Sequence, residues 1–346
     1  MQTRGYVAEH AGATLVPLTF ERRELREHDV AFDILFSGIC HSDIHQVNQE
    51  WGPAIYPMVP GHEIIGVVTA VGTSATKFAV GDRIGVGVFV DSCRTCENCL
   101  NGDQQYCLNG MTLTYNAIER DGTTIAFGGY SNYFVVDEGH AVKIPDGLDL
   151  AGAAPLLCAG VTLFSPLRHW GASEKTTVGI IGLGGLGHMG VKFASAMGAE
   201  TTVFSHTANK REDAKRLGAS HFVDTTDPAN LTALRGTFDL IINTVSADLD
   251  LTPYLEALKV NGTLVVVGLP SNAFSIRAGT LVGKRRSLAG SNAGGIKDLQ
   301  EMMNFCAEHN ITSDVEVVNA DYIEQAYART VASDVKYRFV IDASTF

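Results

Sequence analysis

Thr177-Val178-Gly179-Ile180-Ile181 runs directly into Gly182-Leu183-Gly184-Gly185-Leu186-Gly187, and a helical stretch from His188 to Met197 follows. A buried strand, a Gly-x-Gly-x-x-Gly turn and a helix in that order read as a dinucleotide site. Gly182 permits the tight turn, Gly184 lets backbone approach a pyrophosphate, and Gly187 lets the helix pack on the strand. Gly185 and Leu186 complete the turn, and the helix N-terminus offers unpaired N–H groups to the phosphates. The plainer alternative is a glycine turn without a ligand, and the flanking strand and helix favour the dinucleotide. The same rhythm continues downstream. Thr201-Thr202-Val203-Phe204, Phe222-Val223, Asp239 to Thr244 and Gly262 to Gly268 are strand-like, with Lys210 to Leu217 helical between the first two. Alternating strands and helices predict a parallel sheet covered on both faces.

The first ~150 residues follow a different rule. Short apolar runs broken by Gly and Pro, such as Asp29 to Phe36, Ile64 to Gly72 and Gly81 to Val88, predict mostly antiparallel β-structure. The final run, Tyr337-Arg338-Phe339-Val340-Ile341-Asp342, is a strand placed to rejoin that first domain. A chain of 346 residues suggests two domains, and 36 glycines fit tight turns and close backbone packing. The formal net charge of −12 disfavours nucleic acid and anionic membrane as partners. No run reaches the ~18 apolar residues of a spanning helix. With no apolar signal core behind Met1-Gln2-Thr3-Arg4-Gly5, a cytoplasmic location is expected.

The end of the second strand selects the dinucleotide. An Asp or Glu there usually holds the ribose hydroxyls of NAD. This chain instead reads Phe204-Ser205-His206-Thr207-Ala208-Asn209-Lys210-Arg211, with no acid before Glu212. Ser205, His206 and Thr207 can donate to a 2′-phosphate, and Lys210 or Arg211 can supply charge, so NADP(H) is predicted. The plain reading of Lys210 and Arg211, a solvated helix face, leaves the missing acid unexplained.

Seven cysteines divide into two groups. Cys93-x2-Cys96-x2-Cys99-x7-Cys107 sits in polar loop sequence and suits a closed tetrahedral zinc site. A disulfide knot is disfavoured because a chain of this length has core enough without staples. Iron–sulfur ligation is the nearer rival, although the fourth cysteine lies eight positions on and no Pro follows it. Cys40, His62 and Cys158 are candidates for an open catalytic zinc site, since two thiolates and one imidazole leave a position for substrate. No short spacing links those three. Cys306, in Met302-Met303-Asn304-Phe305-Cys306-Ala307, reads as core.

Taken with Gly38-Ile39-Cys40-His41-Ser42-Asp43-Ile44-His45, Val59-Pro60-Gly61-His62-Glu63 and Pro155 to Thr162, these motifs resemble the zinc-dependent medium-chain alcohol dehydrogenases of cinnamyl alcohol dehydrogenase type. Among them, the chain especially resembles the bacterial broad-specificity NADPH-dependent aldehyde reductases. The resemblance spans nearly the whole chain. It implies an α/β fold: a discontinuous, GroES-like, mostly-β catalytic domain at 1–154 and 290–346, and a Rossmann domain at 155–289. It implies two zinc ions per chain, one held by Cys40, His62 and Cys158 with Glu63 able to approach it, and one by Cys93, Cys96, Cys99 and Cys107. Thr162 matches a position that packs on the nicotinamide, and Arg338 one that contacts the pyrophosphate. Ser42 is placed to bond the substrate oxygen, and His45 to end a proton relay. His41 and Asp43 receive no role.

The implied reaction is reversible reduction of aldehydes to primary alcohols, with zinc polarising the carbonyl that receives the hydride. Gln46, Trp51, Leu113 and Asn292, with Ala293, are the implied pocket residues; for Trp51, plain core packing is an equal reading. Leu113 and the Asn292-Ala293 stretch stand where plant relatives carry bulkier groups, which favours broad aldehyde use over strict hydroxycinnamaldehyde preference. A small-molecule aldehyde or alcohol is the expected partner, in a homodimer. The rival functions are a metal-independent quinone or enone reductase and a non-catalytic NADPH-binding protein. Intact zinc ligands disfavour the first, and retention of Ser42, His62 and Cys158 disfavours the second.

Overall fold

The computed structural model describes residues 1–346, which divide into two compact units, 1–161 with 294–346, and 162–293. The first unit is built on a seven-stranded sheet. Its centre is the eleven-residue strand Asp29–Ile39, which pairs antiparallel with Ile64–Val71, Tyr133–Asp137 and Arg338–Asp342. Ile64–Val71 continues to Arg83–Val86 and Val142–Lys143, and the chain's last strand, Arg338–Asp342, runs parallel to Val315–Val318. Apolar side chains face two separate cores. Val30, Phe32, Ile64, Val68, Ile84, Val86 and Phe134 fill one, and Ile39, Met58, Val59, Tyr130, Phe339 and Ile341 fill the other. Each fully buried aliphatic or aromatic side chain contributes about 1.5–3 kcal/mol, so strand pairing there is fixed by which face is buried.

The second unit carries a six-stranded, all-parallel sheet. Its strands lie in the order His221–Asp224, Glu200–Ser205, Thr177–Ile181, Phe238–Asn243, Leu258–Val266 and Ser287–Gly290. Numbered in chain order this is 3-2-1-4-5-6, the doubly wound arrangement in which the first strand lies at the switch point. Val178, Ile180 and Ile181 are buried, as are Val203, Phe204, Ile241, Ile242, Leu264 and Val265. Burial on both faces explains why these strands read as unbroken apolar runs. The helix after the glycine turn spans Gly187–Ala196 and the next spans Arg211–Arg216, preceded by a short 3-10 turn at Ala208–Lys210. No single helix is long and apolar enough to cross a membrane.

Candidate active site

Cys40 directly follows the central strand of the first unit and caps the short helix His41–Val47. Asp43, the third residue of that helix, turns its carboxylate back to accept the Cys40 N–H at 2.9 Å. His62 and Glu63 lie just before strand Ile64–Val71, and Cys158 follows the 3-10 turn Ala154–Leu157. Metal-ligating atoms of Cys40, His62, Glu63 and Cys158 all lie within 4.8 Å of one another. All four are buried, Glu63 completely and His62 at 4% exposure.

Charge in this dry pocket is closely organised. Asp43 Oδ1 lies 3.0 Å from His62 Nδ1, which leaves Nε2 as the ring's free ligand atom. Burial opposes a charged His62, but the field and hydrogen bond of Asp43, with the Cys40 sulfur, outweigh it and raise its pKa well above the usual value. The hydrogen bond with Cys158 holds the Cys40 thiol well below its ordinary range despite burial, and His62 adds to this effect. The same bond and burial push Cys158 well above it. Two sulfurs and an imidazole thus compete for protons in one buried cluster, and a divalent cation of borderline softness satisfies all three at once. The donor set fits zinc. Glu63 is bridged to Arg338, whose Nη2 lies 2.7 and 2.8 Å from its two oxygens and also donates to the Ile39 carbonyl. Burial pushes the Glu63 carboxyl up to about 7, and Arg338 opposes that rise.

Ser42, His45, Gln46 and Trp51 fall on or just after the same helix, and Leu113 lies elsewhere on this unit. Ser42 Oγ is 3.4 Å from Cys40 Sγ. His45 Nδ1 bonds the Glu50 carboxylate, and its ring is stacked between His41 at 5.0 Å and Trp51 at 4.7 Å. Trp51 is 44% exposed, so it is a platform for His45 and not core. Gln46 accepts from Asn116 Nδ2 at 2.5 Å. Leu113 lies in the short strand paired with Phe89.

Cys93, Cys96, Cys99 and Cys107 form a second cluster whose sulfurs lie within the same mutual 4.8 Å. Backbone N–H groups aim at the sulfurs, Cys96 N at Cys93 Sγ (3.3 Å) and Cys93 N at Cys107 Sγ (3.4 Å). Hydrogen bonds from Asn109 and from the Thr95 and Cys96 backbone lower Cys93 to about 5, while burial raises Cys99 to about 11. Four sulfurs with no other donor suit a closed structural zinc.

In the second unit the glycine turn has the form its sequence requires. Gly182 adopts φ +91°, which favours glycine. A Cβ on Gly187 would sit 2.1 Å from the Gly182 carbonyl oxygen, whereas one on Gly184 would meet nothing within 4 Å. Open space at Gly184, beside a helix N-terminus, is a cradle that a side chain would fill and a pyrophosphate fits. Gly185 and Leu186 lead into that helix. Strand Glu200–Ser205 ends without an acid. Ser205 Oγ accepts the Thr207 N–H at 3.1 Å, His206 is exposed, and Lys210 Nζ reaches the Leu183 carbonyl of the glycine turn at 2.9 Å. Arg211 separates from Lys210: its guanidinium lies 4.7 Å over the Phe222 ring. Thr162 is buried in helix Ala159–His169, Asn292 is exposed and Ala293 is buried.

Sequence reasoning missed Asp43, Glu50 and the tyrosines around Asp43. A carboxylate three residues into a helix is a capping signal, and Cys40-x-x-Asp43 carried it. Nothing local marked Tyr115, Tyr130 or Tyr327. Cys306 is fully buried within helix Ile296–His309.

Comparison with known proteins decides the family. Residues 26–146 match the alcohol dehydrogenase GroES-like domain, and residues 185–308 match the zinc-binding dehydrogenase model. The chain is 58% identical over 339 residues to NADP-dependent alcohol dehydrogenase C of Mycobacterium bovis, covering 98% of each. The chain belongs to the zinc-dependent medium-chain alcohol dehydrogenases of cinnamyl alcohol dehydrogenase type. A probable formaldehyde dehydrogenase of Bacillus subtilis is 55% identical over 344 residues, with 99% of this chain and 98% of that one covered. Among solved structures, a cinnamyl alcohol dehydrogenase of Sorghum bicolor superposes with a TM-score of 0.96 at 45% identity, over 99% of this chain and 98% of the other. The Helicobacter pylori cinnamyl alcohol dehydrogenase, complexed with NADP(H), gives 0.93 at 39% identity over 99% of both. The fold is α/β, a GroES-like unit joined to a Rossmann unit.

Proposed function

We propose that this protein reduces a broad range of aldehydes to primary alcohols, reversibly, with NADPH and zinc. The observation that carries this reading is the buried cluster of Cys40, His62, Glu63 and Cys158 ligand atoms within 4.8 Å. NADP preference is supported by the acid-free end of strand Glu200–Ser205, by Lys210 at the glycine turn, and by relatives named for NADP.

When bound, zinc supplies Lewis-acid polarisation of the substrate oxygen, and the nicotinamide supplies the hydride. Cys40, His62 and Cys158 would hold the ion, and Glu63, already braced by Arg338, stands beside it. Asp43 keeps the imidazole in the tautomer with Nε2 available. Ser42 bonds the substrate oxygen and passes a proton to it during reduction. His45 connects that hydroxyl to solvent through a ring kept in place by Glu50, His41 and Trp51. Gly182, Gly184, Gly185, Leu186 and Gly187 seat the pyrophosphate, Arg338 stays with Glu63, and Ser205, His206, Thr207 and Lys210 take the 2′-phosphate. Arg211 borders that site from its stack on Phe222. Thr162 packs on the nicotinamide; Gln46, Trp51 and Leu113 are the substrate-pocket residues of the first unit, and Asn292 is the one of the second. Cys93, Cys96, Cys99 and Cys107 would hold a second, structural ion, giving two per chain. Family resemblance supports a homodimer, and thiols kept available for metal support a cytoplasmic setting.

The test is the initial rate with NADPH and with NADH on benzaldehyde, cinnamaldehyde and a medium-chain alkanal, before and after chelation. Activity on several aldehydes that favours NADPH and disappears with zinc is expected. Equal use of NADH would overturn the reading of Ser205 to Lys210. Chelator-resistant turnover, after metal analysis has established zinc loss, would return the metal-independent reductase. Absence of turnover on all three aldehydes would revive the non-catalytic reading.

A further inference from the structure

Asp43 is completely buried, and the lone pairs of its carboxylate are all engaged. Oδ1 lies 3.0 Å from His62 Nδ1 and accepts the Gly61 N–H at 3.2 Å, while Oδ2 accepts the Cys40 N–H at 2.9 Å. A further donor is Tyr130, whose hydroxyl reaches Oδ2 at 3.2 Å and in turn accepts from the Tyr327 hydroxyl at 3.4 Å, and the buried Tyr115 hydroxyl also bonds this carboxylate. Tyr130 is fully buried and Tyr327 nearly so, both inside the apolar cluster of Ile39, Met58, Val59 and Phe339. An apolar core needs neither hydroxyl. Each phenol is desolvated, and the arrangement is favourable only because the hydroxyls chain onto a buried anion.

The backbone of Tyr130 is tied to the same place. Gly128, Gly129 and Tyr130 donate to the carbonyls of Val59, Gly61 and Pro60 at 2.7, 2.9 and 2.9 Å, so this loop pairs with the segment that delivers His62. Arg22 lies beneath it. Its guanidinium donates to the Gly128 carbonyl at 2.6 Å, Ser131 Oγ at 2.8 Å, the Tyr133 carbonyl at 2.9 Å and the Phe127 carbonyl. Tyr130 therefore holds His62 from two directions, by main chain along Pro60–Gly61 and by hydroxyl through Asp43.

We propose that Tyr130, backed by Tyr327, is a positioning residue for the catalytic ion: its hydroxyl fixes Asp43, which fixes the tautomer and ring angle of His62. The proposal rests on the ligand set assigned above. Without the hydroxyl, Oδ2 has one donor fewer and the Asp43 carboxylate can rotate, so His62 loses the acceptor that orients it.

The experiment uses the full-length protein with its native metal. Zinc content is measured, and zinc release to a chromogenic chelator is followed for the wild type, Cys40→Ser, Tyr130→Phe and Tyr327→Phe. Cys40→Ser identifies which phase of release belongs to the catalytic ion. Outer-sphere partners of metal-bound His typically change affinity by ~10–100-fold. Tyr130→Phe, one bond further out, is expected at about the lower end, with catalytic zinc leaving ~10-fold faster and the structural phase unchanged. Tyr327→Phe is expected to act in the same direction by a smaller factor. With cobalt substituted at the catalytic site, the ligand-field bands of Tyr130→Phe should shift in position, which a merely structural role would not produce. Release and spectra identical to wild type in Tyr130→Phe would overturn the proposal. So would equal acceleration of both phases, which marks general loosening. If Tyr130→Phe does not fold, Tyr327→Phe decides by the same two readouts. A wild type whose zinc content and release are indifferent to Cys40→Ser would instead sink the ligand assignment, and the proposal with it.

Discussion

Replacing Gly61 by alanine should disable the site without touching a ligand. Gly61 precedes His62, adopts φ +103°, and gives its N–H to Asp43. An alanine there meets two separate costs. Holding an L-residue at such a φ costs about 1–3 kcal/mol. Its Cβ would also lie 2.6 Å from Tyr130 Cδ1, 2.8 Å from Tyr130 N and 2.9 Å from Gly129 N. Two of those neighbours are backbone that pairs with Val59–Gly61, so the loop cannot simply swing aside, and overpacking adds about 1–3 kcal/mol. The combined loss is about 2–6 kcal/mol, which for a unit of this size lowers its melting temperature by roughly 5–20 °C. Relaxation would displace Tyr130 and the Asp43–His62 pair, so catalytic zinc should fall below one per chain while structural zinc stays. Gly81→Ala is the matched control, because φ is +94° there and its Cβ would meet nothing within 4 Å. It isolates the backbone term, about 1–3 kcal/mol. Scanning calorimetry with metal analysis reads both variants. If Gly61→Ala melts no lower than Gly81→Ala and keeps both metals, the close approach of Tyr130 to Gly61 is not what fixes this segment.

Lys210→Met removes the cation at the glycine turn. A hydrogen bond to a charged group is worth ~1.5–3 kcal/mol, so the KM for NADPH should rise ~10–100-fold with that for NADH unchanged, read from initial rates with both cofactors. Cys96→Ser should release one zinc and lower the melting temperature by more than about 10 °C, while activity at low temperature persists because Cys40, His62 and Cys158 are untouched; immediate loss of activity in a folded variant would contradict this. Asp137 gives a pH test. Burial disfavours its charge, but His140, the Gly139 N–H at 2.8 Å and Arg94 at 2.8 Å outweigh burial and hold its carboxyl well below the usual range. A depressed folded pKa contributes stability that is present above the unfolded value, about 3.9, and is lost as pH falls towards the folded one. Asp137→Asn should therefore destabilise by about 1–3 kcal/mol at pH 6, with the difference shrinking below about pH 4 in urea melts. A difference that grows on acidification would reverse the assignment.

What the sequence made legible were features with local chemistry. The glycine turn, the acid-free end of the second strand, and the four-cysteine loop each act over fifteen residues or fewer. The observed turn at Gly182 and the sulfur cluster follow the same spacing logic. Cys40, His62 and Cys158 were visible only as residue types until family motifs joined them, because strands far apart in the chain bring them together. Asp43 is legible in the sequence only as a helix cap, through Cys40-x-x-Asp43. Its partner His62 lies nineteen residues away and Tyr130 eighty-seven, separations at which no periodicity carries information. The pairing of Lys210 with the turn and of Arg211 with Phe222 was equally closed to sequence, since neighbouring cations on a helix start look alike until their side chains take opposite directions.

The hidden residues share one physical task. Zinc with two thiolates is close to neutral as a unit, and Glu63 with Arg338 is another neutral pair beside it. Asp43 remains as a buried negative charge whose partner is the imidazole. Such a charge is tolerable only where every lone pair has a donor. The fold supplies two backbone N–H groups from Cys40 and Gly61, one ring nitrogen and the phenols of Tyr130 and Tyr115. Ligands can be recognised by type because metals accept few types. Their supports can be any group that donates a proton at the correct point, so tyrosine, main chain and histidine serve together here, and only geometry identifies them.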